Sequence, residues 1–301
     1  MILADLTHRY IEQPLRHLKL PPRTVIRSAI IATCVATSIG GAIILTANDV
    51  VTLPTGESYR ISELTQRPVV YDDGCHVNNG ETKSPSCTYG PSSTRKIVLF
   101  GDSHAAQWQP VLEKLATEEG FQLISLTKSA CPGPAVRKVE SGSYKNADCN
   151  AWRENSIARI QQIQPEAVIV SGMQNFEVPK GYASRRSWWI QGEAKTYLAL
   201  QGSSSNLIYL SDTPRPLRDI PSCIAAGRLD KCNGTQATPA IFTPGWERIN
   251  PTSWFCNGKC PAVIDGVVIY RDSSHLSVRG ALSVKRELRT ALQNLGVLPL
   301  S

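Results

Sequence analysis

Four short apolar runs, Ile97–Phe100, Phe121–Leu126, Ala167–Val170 and Leu207–Leu210, alternate with amphipathic stretches near residues 105–118, 150–163 and 191–201. Runs this short and this uniformly apolar suit strands buried on both faces, and the stretches between them suit covering helices. A helix between two strands returns the chain to the same edge, so consecutive strands pair in parallel. The alternation therefore predicts an α/β fold with a mostly parallel sheet and helices on both faces. A last strand is expected near Val263–Ile269 and a final helix over 277–295. In such a sheet, sites form beyond the carboxyl ends of the strands, so the residues directly after each apolar run are the ones to inspect.

Ser103 follows the first run, in Phe100-Gly101-Asp102-Ser103-His104-Ala105. Far downstream, Arg271-Asp272-Ser273-Ser274-His275-Leu276 offers a histidine with an aspartate three residues before it. A serine hydroxyl is a weak nucleophile that needs a base within hydrogen-bond reach. His275 is the expected base, and Asp272 the acid that fixes its tautomer and stabilises the imidazolium. Taken alone, each segment also suits a helix cap; their joint position on one rim of the sheet favours chemistry. His104 sits beside the serine but one step along a helix, and is read as structural. His8, His17 and His76 lie in the N-terminal region or the stretch before the sheet and are expected to stay outside the site.

An oxyanion needs preorganised donors. The backbone N–H of Ser103 is one expected donor. The turn Lys128-Ser129-Ala130-Cys131 offers Ser129 and Ala130, and Ser171-Gly172-Met173-Gln174-Asn175 offers Gly172, Gln174 and Asn175. Ordinary strand-end loops are the competing reading for both segments.

Nine cysteines are present. Cys75–Cys87, Cys131–Cys149, Cys223–Cys232 and Cys256–Cys260 fall as neighbouring couples, and pairing in sequence closes short loops without threading. Cys34 is left over, inside an apolar run. Eight paired cysteines indicate an oxidising compartment. The Cys256-x-x-x-Cys260 spacing alone could suggest zinc, but no second couple with ligand spacing lies nearby, so no metal or cofactor is expected. The formal charge of +7 is spread along the chain and gathers into no basic stripe, which argues against a nucleic-acid partner.

Val25–Ala47 carries one charge, Arg27, near its start. As a helix it would cover about 34 Å, enough for a bilayer core. Arg9, Arg16, Lys19, Arg23 and Arg27 precede it or open it, whereas Asp49 and Glu57 follow. The positive-inside rule then puts the N-terminus in the cytoplasm and the rest outside, in agreement with the cysteines. A cleaved signal peptide is the alternative, against which the long lead argues. The expected organisation is residues 1–24 cytoplasmic, 25–47 a transmembrane helix, 48–93 an extracytoplasmic linker clipped by Cys75–Cys87, and 94–301 the catalytic domain.

Gly101-Asp102-Ser103-His104 with Asp272-x-x-His275 resembles the SGNH (GDSL-like) hydrolase superfamily, which implies a three-layer α/β/α sandwich. Ser211-Asp212-Thr213-Pro214, Ile220-Pro221-Ser222-Cys223, Trp254-Phe255-Cys256 and Val268-Ile269-Tyr270-Arg271-Asp272 look like the SGNH domains fused to membrane acyltransferases of family 3, particularly actinobacterial ones. Arg9-Tyr10-Ile11-Glu12-Gln13-Pro14-Leu15-Arg16 resembles the loop closing that family's ten-helix domain, so residues 1–24 would be a remnant of it. The superfamily's glycine and Gly-x-Asn-Asp blocks are replaced by Ser129-Ala130 and Gly172-Met173-Gln174-Asn175. The resemblance implies O-acylation, often O-acetylation, of a cell-envelope glycan or glycolipid, with the acyl group relayed from the multi-helix membrane domain to Ser103. A tethered carbohydrate esterase is the alternative, and a non-catalytic glycan-binding domain the second. Trp188-Trp189, Trp246 and Trp254 would serve a sugar platform or, more in keeping with tryptophan's usual place, the core.

Overall fold

The computed structural model describes residues 8–13, 21–47, 50–227, 229–236 and 243–300. It divides into two compact units, residues 1–50 and 51–301. The first holds a helical turn, His8–Glu12, and the 26-residue helix Pro22–Ala47 (α1). The span read over 25–47 falls within α1, but the side chains of 25 and 39–47 lie outside the described residues. Among the described residues no helix is long and apolar enough to cross a membrane. The remnant read over 1–24 falls largely outside the described residues.

The second unit is built on a seven-stranded sheet. Its strands are His76–Val77 (β1), Thr88–Tyr89 (β2), Lys96–Gly101 (β3), Gln122–Lys128 (β4), Ala167–Ser171 (β5), Asn206–Leu210 (β6) and Glu247–Ile249 (β7). The order across the sheet is β7-β6-β5-β3-β4-β1, every neighbour parallel, while β2 lies antiparallel to β4. All four apolar runs are thus adjacent strands, with Val98 of β3 in register with Ile124 and Val168. Helices Ser103–Ala106 (α2), Gln109–Glu119 (α3), Asn146–Ile163 (α4), Arg185–Leu200 (α5), Val278–Ser283 (α6) and Lys285–Asn294 (α7) supply the cover.

Side chains alternate between the two faces of each strand, and the core divides accordingly. Ile97, Leu99, Leu123, Ile169 and Ile208 pack with Trp108, just before α3, and with Leu112, Leu288 and Leu292 of α3 and α7. Val98, Phe100, Ile124, Val168 and Val170 pack with Trp152, Ile160, Trp188 and Trp189 of α4 and α5. This is the α/β/α sandwich. The stacked rings of Phe100 and Trp152, 5.3 Å apart, fill enough of the second layer that truncating either to Ala costs about 3–5 kcal/mol. Trp188, Trp189 and Trp246 are buried, so their sequence resolves to core. Trp254 is half-buried and meets Trp108 edge-on.

Two expectations are corrected. The run Val263–Ile269 is not a strand of the main sheet but a separate hairpin, Val263–Ile264 against Val267–Val268. Asp265 and Gly266 both have positive φ, 47° and 76°. An Asp-Gly pair in that conformation is a two-residue hairpin turn, and it divides the apolar run. The sheet edge is taken by β7 instead. The stretch read as a linker contributes β1 and β2, tied together by Cys75–Cys87. The other three couples, Cys131–Cys149, Cys223–Cys232 and Cys256–Cys260, are also bonded, and Cys34 is free.

From β3 the chain moves outward to β4, then crosses back to place β5 on the other side of β3. The sheet order reverses there, and a crevice opens beyond β3. That crevice receives Ser103.

Candidate active site

The end of β3 turns sharply because Gly101 permits it. Gly101 has φ 155°, and a Cβ there would lie 2.0 Å from the Ser171 carbonyl oxygen and 2.8 Å from the Ala105 Cβ. Asp102 then caps α2, its carboxylate accepting from the His104 N–H at 2.8 Å. Ser103 is the first helical residue, so its N–H belongs to the first turn, where no intrahelical acceptor exists.

The loop carrying His275 is held on both sides. Arg271 N–H donates to the His275 carbonyl at 3.0 Å. Leu276 N–H donates to Gln107 Oε1, on the turn after α2, at 2.9 Å. Ser277 caps α6 by accepting from Gly280 N–H. These contacts bring two segments 172 residues apart to one point. His275 Nε2 lies 2.8 Å from Ser103 Oγ, and His275 Nδ1 lies 2.8 Å from Asp272 Oδ2. Asp272 Oδ1 accepts from the N–H groups of Ser274 and His275, each at 2.7 Å, so the carboxylate has one rotational setting. Ser274 Oγ lies 3.1 Å from the same Nδ1.

The electrostatics suit a neutral imidazole. Burial, then the charge of His104, push His275 down to about 4 against the pull of Asp272. Burial acts to raise Asp272, but the hydrogen bonds and charge of His275 outweigh it and hold the carboxyl below the usual range. With Asp272 ionised and accepting at Nδ1, Nε2 is left as the acceptor for the Ser103 hydroxyl proton.

Ser103, Asp272 and His275 open onto a cavity of about 480 Å³ that Ser129 and Ala130 also line. Ser129 N–H is committed to the Val77 carbonyl at 2.9 Å. Ala130 has φ 55°, a left-handed conformation that few non-glycine residues adopt, in a turn closed by Cys131 N–H to the Lys128 carbonyl and fixed by Cys131–Cys149. Lys138 Nζ donates to the Ala130 carbonyl and lies over the rings of Tyr144 and Phe176. Ser129 N–H is thus already spent, which leaves Ala130 as the oxyanion candidate of this turn.

The other oxyanion candidates are not brought to the cavity. Gly172 packs against Pro132, where a Cβ would come within 2.6 Å. Gln174 is buried, its amide donating to Tyr209 Oη and its N–H lying 3.3 Å from Asp212 Oδ2. Asn175 is exposed and does not line the cavity. This strand-end loop instead supports carboxylates: Met173 N–H donates to Asp102 at 3.1 Å.

One histidine departs from the sequence reading. His76 lines the cavity, because β1 joins the sheet beside β4. Burial first, with nearby cations adding to it, pushes it down to about 3. His104, read as structural, is buried, and its ring centroid lies 4.5 Å from that of His275. Arg67, Tyr71 and Arg271 also wall the cavity, the two guanidinium carbons 4.9 and 5.1 Å from the centre of the Tyr71 ring. Arg271 is legible as the neighbour of Asp272; Arg67 and Tyr71 lie in an irregular segment with no periodic signal.

Comparison with known proteins adds the following. The family described as "SGNH domain (fused to AT3 domains)" matches residues 74–290. No curated protein sequence matches the chain. The periplasmic domain of a lipopolysaccharide acetyltransferase from Salmonella ser. Paratyphi A is 18% identical, with a TM-score of 0.51 over 75% of this chain and 87% of that one. A Bacteroides fragilis protein proposed to be an acylhydrolase is 12% identical, with a TM-score of 0.40 over 68% of this chain and 90% of that one. At these identities the likeness to the first is one of fold.

Proposed function

This chain belongs to the family of SGNH domains fused to AT3 domains, and from that premise we propose that it is an O-acyltransferase component acting through an acyl-enzyme on Ser103. The observation that carries the reading is the hydrogen-bonded series Ser103–His275–Asp272. As an acyl donor enters, His275 Nε2 takes the hydroxyl proton while Ser103 Oγ bonds to the acyl carbon. The oxyanion is held by the N–H groups of Ser103 and Ala130. The bond from the acyl carbon to the donor's leaving oxygen then breaks, and His275 returns its proton to that oxygen. In the second half, an acceptor hydroxyl loses its proton to His275 and bonds to the acyl carbon; the bond from that carbon to Ser103 Oγ breaks, and His275 returns the proton to Oγ.

The acceptor in this reading is a hydroxyl of a cell-envelope glycan or glycolipid, and the acyl group, acetyl in the simplest case, is relayed from a multi-helix acyltransferase-3 membrane domain. Helix α1 would tether the chain to the membrane with its N-terminus in the cytoplasm, following the basic residues that lead it. Four disulfides support an extracytoplasmic placement.

Hydrolysis is the second reading. The side chains of His275 and Asp272 keep 19% and 37% of their exposure, so water has access to the ester that Ser103 would carry. The two readings share the intermediate and differ in the acceptor. Labelling with a fluorophosphonate, comparing wild type with Ser103→Ala and His275→Ala, tests the intermediate: label lost in both variants supports the reading, and label independent of Ser103 refutes it. Adding a sugar acceptor during p-nitrophenyl acetate turnover then separates the outcomes, acylated sugar meaning transfer and acetate alone meaning hydrolysis.

A further inference from the structure

The mechanism above leaves a buried titratable pair unused. His104 is 1% exposed and Asp212 5% exposed, and His104 Nδ1 lies 2.6 Å from Asp212 Oδ1. The pair is the second Asp–His couple of the site, and its ring lies against the back of His275 with an interplanar angle of 46°. We infer that His104 and Asp212 form a positioning pair, a buried imidazolium–carboxylate couple whose positive ring faces His275 and keeps that ring a neutral base toward Ser103. The inference rests on the Ser103–His275 reading and assigns a role to a residue that reading does not use.

Charge balance argues for the imidazolium. Two carboxylates, Asp102 and Asp212, are buried at this level. Asp102 accepts from the N–H groups of His104 and Met173, and Asp212 from those of Thr213 and Gln174. Burial raises the proton affinity of Asp102, against the charge of His104 and these backbone donors. Among the described residues, His104 is the basic side chain hydrogen-bonded to Asp212, and a charged ring there offsets that carboxylate. Burial works against a charge on His104, but Asp212's charge and hydrogen bond, then the charges of Asp102 and Asp272, outweigh it and raise its proton affinity.

The groups facing His275 are Asp272 and Arg271 from its own loop, His104 from α2 and His76 from β1. Those facing His104 are Asp212, Asp102, Asp272 and His275. Among these, His104 is the cation that His104→Gln removes while leaving the carboxylates in place. The residual field on His275 then becomes more negative, and its affinity for protons rises.

The test uses the full chain with ¹⁵N-labelled histidine and reads imidazole nitrogen shifts against pH, beside the pH profile of Ser103-dependent esterolysis. In wild type the expected result is His104 protonated at both nitrogens near about pH 6, with His275 neutral. In His104→Gln the midpoint of His275 rises by about one pH unit or more. The acid limb of esterolysis rises with it, so the loss of rate is steepest on the acid side. A structural role alone would lower the rate evenly across pH. Neutral His104 in wild type, or an unmoved His275 midpoint in the variant, overturns the inference. If the variant does not fold, the wild-type charge on His104 decides. If esterolysis independent of Ser103 is found, the acyl-enzyme reading fails, while the nitrogen shifts still decide the charge of the pair.

Discussion

Replacing Asp272 tests how the base is held, because two different substitutions should fail differently. In the native site Asp272 Oδ1 accepts two backbone N–H groups at 2.7 Å, and Oδ2 accepts from His275 Nδ1 at 2.8 Å. In Asp272→Asn the amide oxygen must take the place of Oδ1, since only an oxygen can accept those two donors. The amide NH₂ then faces Nδ1, which becomes an acceptor. The ring proton moves to Nε2, and Nε2 can no longer take the proton of Ser103. In Asp272→Ala no such donor is present, and Ser274 Oγ, 3.1 Å from Nδ1, or water can accept from Nδ1–H. What Ala loses is the carboxylate's attraction for the imidazolium, about 4 kcal/mol for charges about 4 Å apart at an effective dielectric of about 20, or roughly 10³-fold. The Asp272 side chain is 37% exposed, so solvent screening reduces this to on the order of 10²-fold. The asparagine variant, with the wrong tautomer enforced, should fall about tenfold lower still. The assay is kcat/KM for p-nitrophenyl acetate at about pH 8, with thermal unfolding to confirm that both variants are folded. Asp272→Asn equal to or better than Asp272→Ala, or either within threefold of wild type, would refute the reasoning.

Gly101→Ala should destabilise the domain by about 2 kcal/mol or more, since its Cβ would meet backbone at 2.0 Å; a urea midpoint unchanged from wild type would contradict the close approach. Lys138→Met removes the donor to the Ala130 carbonyl while keeping the chain's apolar length. It should lower kcat/KM about tenfold through the oxyanion donor, with the thermal midpoint showing the fold intact. For pH, a group whose affinity for protons is lowered stays neutral further into acid. With His275 pushed down to about 4, esterolysis should hold its plateau down to about pH 5 and fall as pH drops through about 4; a limb near about pH 6.5 would show an unperturbed imidazole.

Much of the fold was legible in the sequence because its strands are short, apolar and separated by helices. Ile97–Phe100, Phe121–Leu126, Ala167–Val170 and Leu207–Leu210 needed only period and order to become four adjacent parallel strands. The edges were not legible. His76–Val77 and Thr88–Tyr89 are two residues each, too short for any period, and they join the sheet because Cys75–Cys87 and the backbone of β4 hold them. The Val263–Val268 run misled by its composition, although Asp265-Gly266 carried the hairpin signal. At the site, the meeting of Ser103, Asp272 and His275 was legible because each lies directly beside a strand or loop end. The candidate donor turn was not: that Ser129 N–H is already spent depends on the Val77 carbonyl, a contact made by an edge strand. His76, Arg67 and Tyr71 escaped for the same reason, since the segment carrying them was read as outside the folded body. The burial of His104 was not legible in the sequence, and its partner Asp212, 108 residues away, could be found only from the fold.

The central claim is that His275 drives Ser103 to hold an acyl group. Rapid-quench digestion during p-nitrophenyl acetate turnover, read by peptide mass spectrometry, measures it directly. One acetyl group on the peptide containing Ser103, present in wild type and absent in His275→Ala, is the predicted result. Turnover with no acetyl on that peptide, or acetyl on it that persists undiminished in His275→Ala, would contradict the account.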